Sequence, residues 1–102
     1  MAEKLLPIIY STRAIANSLT IREFILFKFT QREVDNFYKM LATFEKIVVA
    51  FPEMYPKSTI NSRSRKAVLS RQLSVFYIVY KDQISIVGMI DNRMGYDKYP
   101  KI

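Results

Sequence analysis

Three runs decide the reading of this chain: Arg65-Lys66-Ala67-Val68-Leu69-Ser70-Arg71, Ser74-Val75-Phe76-Tyr77-Ile78-Val79-Tyr80-Lys81 and Ile84-Ser85-Ile86-Val87-Gly88-Met89-Ile90. Each is rich in the β-branched and aromatic residues that fit a pleated surface. Only Gln72-Leu73 and Asp82-Gln83 separate them, and joints that short connect antiparallel neighbours. The three runs therefore predict an antiparallel meander. The middle run is apolar or aromatic from Val75 to Tyr80, as a central strand covered on both faces is. The first alternates Lys66, Val68 and Ser70 with Ala67, Leu69 and Arg71, as a strand with one solvated face does.

Upstream of the meander, residues 57–64 hold Ser, Thr, Asn and Arg without periodicity, which predicts a mobile loop. Pro52 and Pro56 bracket a turn before it, and Pro52 disfavours helix at Phe51. Back from there, Val34, Phe37, Leu41, Phe44 and Val48 recur at helical spacing with Lys39 and Glu45 opposite them. Thr30-Gln31-Arg32-Glu33 has the form of a capping box, with Phe29 and Val34 at the positions of a hydrophobic staple. A helix is thus expected to start abruptly at Thr30 and to run antiparallel to its predecessor. That predecessor, Arg13 to Phe29, carries Ile15, Leu19, Arg22, Ile25/Leu26 and Phe29 at three- and four-residue steps. Leu6 to Ser11 reads as a short strand, with Ser11-Thr12 as a turn and helix N-cap. The fold class expected is α+β: an N-terminal strand, an antiparallel helix hairpin and a three-stranded antiparallel meander (β-α-α-β-β-β), with the helices packed on one sheet face.

Composition sets the outer limits. A chain of 102 residues, half of them apolar, matches one domain spanning 1–102. It contains neither cysteine nor histidine. Disulfides, thiolate nucleophiles, Cys/His zinc sites and histidine-based catalytic arrangements are thereby excluded. No metal site and no cofactor is expected, because Gly88 and Gly95 are the only glycines and cannot make a glycine-rich phosphate loop. No apolar run approaches the ~20 residues of a membrane span. The opening residues do not read as a signal peptide, so a cytoplasmic protein without membrane contact is expected.

Lys and Arg number 16 against 9 Asp and Glu, a net charge of +7. Residues 1–56 contribute only +1 and residues 57–102 the remaining +6. That balance suits a polyanion or an acidic protein as partner.

The candidate site is basic and aromatic: Lys66 and Arg71 from the first meander strand, Tyr77 and Tyr80 from the second, then Arg93, Tyr96, Lys98 and Tyr99. Strands in register are expected to bring these groups towards one face. Arginine and lysine neutralise phosphates and the charge that develops on a phosphorane, while tyrosine stacks on bases or moves a proton. Metal-free phosphodiester cleavage is within that repertoire. Each member has a plainer alternative: Tyr77 and Tyr80 as core residues with satisfied hydroxyls, Lys66 and Arg71 as solvated strand residues, and Arg93 as the partner of nearby Asp91. The aromatic helices, with Phe24, Phe27, Phe29, Phe37, Tyr38 and Phe44, leave two readings open as well: a groove for a partner segment, or core packing.

The succession of these pieces resembles the RelE/ParE superfamily of bacterial type II toxins over nearly the whole chain. The stretches that carry it are Ile9-Tyr10-Ser11-Thr12-Arg13-Ala14, the helix junction at Phe29-Thr30, Phe51-Pro52-Glu53-Met54-Tyr55-Pro56, Arg65-Lys66-Ala67-Val68-Leu69, Phe76-Tyr77-Ile78-Val79-Tyr80, and Ile84-Ser85-Ile86-Val87 leading to Asp91-Asn92-Arg93. The resemblance implies a growth-inhibiting toxin neutralised in a hetero-oligomer by a cognate antitoxin, whose C-terminal segment wraps the helices and sheet. It implies one of two targets: mRNA on the ribosome, cut by a metal-independent endoribonuclease, or DNA gyrase, inhibited without hydrolysis. For the nuclease it implies Arg93 with Tyr99 or its rival Tyr96 as catalytic residues, and Lys66, Arg71 and Lys98 as substrate-binding residues. Tyr77 stands where the nucleases of this family carry an arginine. A further alternative is a nucleic-acid or protein binding module that keeps the fold without the toxicity.

Overall fold

The computed structural model describes residues 5–94, from which all structural statements below are drawn. The element order is β1 (Ile8–Tyr10), α1 (Thr12–Lys28), α2 (Gln31–Ala50), β2 (Arg65–Val68), β3 (Leu73–Val79) and β4 (Ile84–Asp91). The expected β-α-α-β-β-β order is present. β2, β3 and β4 form the antiparallel meander, and β1 joins the far side of β4 in parallel, Ile8 opposite Ile84 and Tyr10 opposite Ile86. The sheet, in the order β1-β4-β3-β2, is therefore mixed rather than wholly antiparallel. A parallel neighbour requires a crossover, which the two helices supply.

α2 buries the stripe that its sequence marks, Val34, Phe37, Leu41, Phe44 and Val48. α1 does not follow its apparent stripe. Its buried residues are Ala14, Asn17, Ile21 and Ile25, whereas Ile15, Leu19, Leu26 and Phe29 remain roughly half exposed. Two apolar faces compete on this helix, and the one that packs on β4 is disguised by a small residue and an amide.

Asn17 ties that face to the sheet, although among the described residues its buried Nδ2 has no hydrogen-bond partner. Its Oδ1 accepts a hydrogen bond of 3.1 Å from the backbone N–H of Met89 in the middle of β4. The β3–β4 register shifts at this point: Phe76 faces Gly88 while Tyr77 faces Ile86, which leaves Val87 unmatched. Such a bulge changes the parity of the strand. Ile84 and Ile86 point into the core before it, Met89 and Asp91 after it. Without the extra residue Ile90 would turn inward and Asp91 outward.

The helix ends differ from each other. Ser11 caps α1 as expected, its Oγ accepting from the Ala14 N–H at 3.0 Å. The Thr30 capping box does not form: the Thr30 side chain makes no cap bond, and its backbone carbonyl takes the N–H groups of Glu33 and Val34 instead. Glu33 lines a cavity beside Asp91 and Arg93. Between α2 and β2 the backbone is cross-linked rather than loose: Ser58 N–H reaches the Ser64 carbonyl, Ser58 Oγ accepts from Ile60, and Lys66 N–H reaches the Pro56 carbonyl. The short polar side chains that look like loop filler are the caps of that turn.

Candidate functional site

Arg93 follows the inward turn of Asp91 at the end of β4. Its guanidinium holds the Asp91 carboxylate through two parallel bonds, Nε to Oδ1 at 2.9 Å and Nη2 to Oδ2 at 2.6 Å, and its backbone N–H adds a third at 2.9 Å. Asp91 is 1% exposed, while the Arg93 side chain keeps 31% of its surface in solvent. A bidentate pair of this kind fixes the guanidinium in direction as well as position. The back of the guanidinium lies 5.0 Å from the centre of the Phe29 ring, at the α1–α2 junction. Around the pair is a cavity of about 250 Å³ to which Glu33, Asn36, Ser70 and Gln72 contribute polar groups and Phe37, Met40 and Leu73 apolar ones. Arg93 therefore sits on the helix side of the sheet.

The other candidates are dispersed. Asn92 clips the β2–β3 turn to the end of β4, its N–H on the Gln72 carbonyl and its Nδ2 on the Arg71 carbonyl. Arg71 is thus brought to the same end of the sheet as Arg93, with its side chain exposed. Lys66 goes elsewhere. It neighbours Ala67, which is fully buried in the core, and it reaches over the Phe76 ring at 5.9 Å on the face away from the helices. The expectation of one shared face is corrected here: Lys66 and Arg93 lie on opposite sides of the sheet, because the bulge redirects the end of β4 and the alternation of β2 does not change. Tyr96, Lys98 and Tyr99 lie outside the described residues.

Tyr77 is wholly buried, as a core residue with a satisfied hydroxyl is. Its hydroxyl donates to the Pro52 carbonyl at 2.7 Å, and its ring meets Phe44 and Tyr55 edge-on at 5.7 and 6.1 Å. Burial is the main cause that pushes its phenol up to about 12. On the neighbouring strand Arg65 lies opposite Tyr77, and its Nη1 donates to the carbonyls of Tyr55 and Glu53, at 2.8 and 3.3 Å. Tyr77 and Arg65 together hold the segment after α2. Nothing in the sequence singled out Arg65, since an arginine that serves backbone carbonyls has no motif. Tyr80, by contrast, is partly exposed just beyond β3.

The aromatic residues of the helices divide between both readings. Phe37 and Phe44 are core, whereas Phe27 is 84% exposed and Phe29 and Tyr38 about half exposed. Tyr10 links β1 to α2 through a hydrogen bond of 2.5 Å to Glu45, and burial first, then that carboxylate, raises its phenol above the ordinary range. No helix among the described residues is long and apolar enough to cross a membrane.

No protein-family model matches the sequence, and no curated protein matches it. Solved structures do. A chain of the chromosomal ParDE TA system from P. aeruginosa superimposes with a TM-score of 0.72 at 12% identity, covering 85% of this chain and 96% of that one. The solution structure of a conserved hypothetical protein from Helicobacter pylori superimposes with a TM-score of 0.56, also at 12% identity, covering 87% of this chain and 97% of that one. The fold is the one that the RelE/ParE resemblance implied.

Proposed function

We propose that this chain is the toxin of a type II toxin–antitoxin pair, held inactive by a cognate antitoxin, and that it acts by docking on DNA gyrase rather than by cutting mRNA. The whole-chain resemblance and the fold shared with a ParDE chain support the first half. The observation that carries the second is the Asp91–Arg93 pair.

Cleavage of a phosphodiester without metal or histidine needs a positive charge aimed at the developing phosphorane and a group that exchanges protons near neutral pH. The Arg93 charge is already matched by a buried carboxylate on the helix side of the sheet. Of the candidates for holding the RNA backbone, Arg71 lies at the same end of the sheet as Arg93, but Lys66 is on the other side. Tyr77, at the position of the family's arginine, is buried, hydrogen bonded and pushed to about 12. Docking requires none of these groups to be free.

The test is a supercoiling assay with purified gyrase, relaxed plasmid and this protein, without ribosomes. Dose-dependent loss of supercoiling is expected. Full supercoiling activity at a large molar excess of folded protein contradicts the proposal.

A further inference from the structure

The two edges of the sheet are finished differently. β2 forms one of them and carries Arg65 and Lys66. The chain that precedes it lies along it: Lys57 bridges Arg65, Ser58 N–H donates to the Ser64 carbonyl and Lys66 N–H to that of Pro56. Cations and a covering segment are the usual means by which a sheet edge is kept from pairing with another chain.

β1 forms the other edge and has neither. No charged residue occurs from Leu5 to Thr12, in a chain of which a quarter is charged. Ile84 N–H donates to the Pro7 carbonyl and Ser11 N–H to that of Ile86, so the odd-numbered residues bond to β4. Ile8 and Tyr10 turn their N–H and C=O groups the other way, and among the described residues nothing pairs with them. Leu5 and Ile9 are 65% and 47% exposed beside that edge. Between the edge and α2 runs an open groove lined by Leu5, Ile8, Ala42, Glu45, Lys46 and Val49.

An unpaired strand edge specifies the backbone of its occupant, which is another extended strand. Charge specifies which strand. A two-fold contact needs a patch that complements itself, and a patch with a net charge repels its own copy. This one is neutral although the chain carries +7, and its only charged groups are one acid, Glu45, and one base, Lys46. An acidic or basic partner finds no excess here to match. Antiparallel pairing centred on Ile9 sets Ile8 opposite Tyr10 of the second copy and Tyr10 opposite its Ile8, which satisfies every outward group of the two residues. The same register puts the two Ile9 side chains across the axis from each other.

We propose that this chain forms a two-fold dimer in which β1 pairs with β1 of a second copy and joins the two sheets into one. The guarded β2 edge closes the assembly at two copies instead of a fibre. The proposal goes beyond the toxin reading and does not depend on gyrase.

The experiment is sedimentation equilibrium with hydrogen exchange on the purified full chain without antitoxin, over a dilution series. Wild type is compared with Ile9→Lys and, on the guarded edge, with Val68→Lys. A mass of two chains is expected for concentrated wild type, with slow exchange at the Ile8 and Tyr10 amides. Ile9→Lys sets two like charges directly opposite each other and is expected to weaken the dimer by roughly tenfold or more, whereas Val68→Lys leaves it unchanged. A single-chain mass at the highest soluble concentration overturns the proposal, as does a mass that grows past two chains. So does a dimer that Ile9→Lys leaves intact or that Val68→Lys weakens equally. If Ile9→Lys melts early, wild type decides: fast exchange of the Ile8 and Tyr10 amides at a concentration where the mass is that of two chains overturns the β1 pairing.

Discussion

Tyr77 has no solvent on it, and its phenol makes a measurable prediction about pH. The folded protein holds this proton up to about 12, whereas an unfolded tyrosine releases it near its ordinary value of 10. The stability linked to it is therefore complete below about pH 10 and is lost as pH rises towards 12. Two units correspond to about 2–3 kcal/mol. Tyr10 acts in the same direction, so the contribution of Tyr77 is the difference between wild type and Tyr77→Phe. Urea unfolding from pH 8 to 12 is expected to show a shallower alkaline decline in the variant, and a cost of about 1 kcal/mol at pH 8 for the lost bond to Pro52. Parallel alkaline curves for the two proteins contradict this account of Tyr77. At this scale the sequence gives residue types and not their company. The closeness of Asp91 to Arg93 is visible in the chain, but the burial that makes the pair tight follows from a bulge several residues earlier.

Helix ends and strand registers are where local signals and tertiary packing disagree. Ser11 and Thr30 look equally good as caps, yet only Ser11 makes its bond. Ser11→Ala is expected to cost about 1 kcal/mol and Thr30→Ala less than about 0.5 kcal/mol in chemical denaturation. Asn17→Ala removes the acceptor of the Met89 N–H inside the helix–sheet interface, and a cost of about 1–3 kcal/mol is expected from the orphaned donor. A neutral Asn17→Ala shows that β4 keeps its bulge without help from α1. The strand cores and the α2 stripe were legible because one apolar pattern dominated each. The packed face of α1 was not, because its contacts with β4 run through Ala14 and an amide while Ile15, Leu19 and Leu26 advertise the other face. Val87 carries no mark of a bulge, since an unmatched residue exists only relative to a partner strand.

Across the molecule, order and class were readable from the chain: short joints force the meander, the proline pair ends α2, and the helix hairpin must carry β1 back to the sheet. The expected sharing of one face by the basic residues was not, because it assumed a regular alternation to the end of β4. Once the bulge splits Lys66 from Arg93, the basic C-terminal half no longer presents a single row of phosphate ligands. That change of picture is what favours docking over cleavage.

The central claim is that this protein works without cutting RNA, and primer extension on a defined mRNA in a purified translation system tests it most directly. Wild type and Arg93→Ala are added at the same concentration, with gyrase supercoiling measured on the same preparations. The account predicts full-length extension products with wild type at concentrations that suppress supercoiling. Ribosome-dependent cuts with wild type that disappear with Arg93→Ala would contradict it, and would make Arg93 a catalytic residue that leaves Asp91 to act.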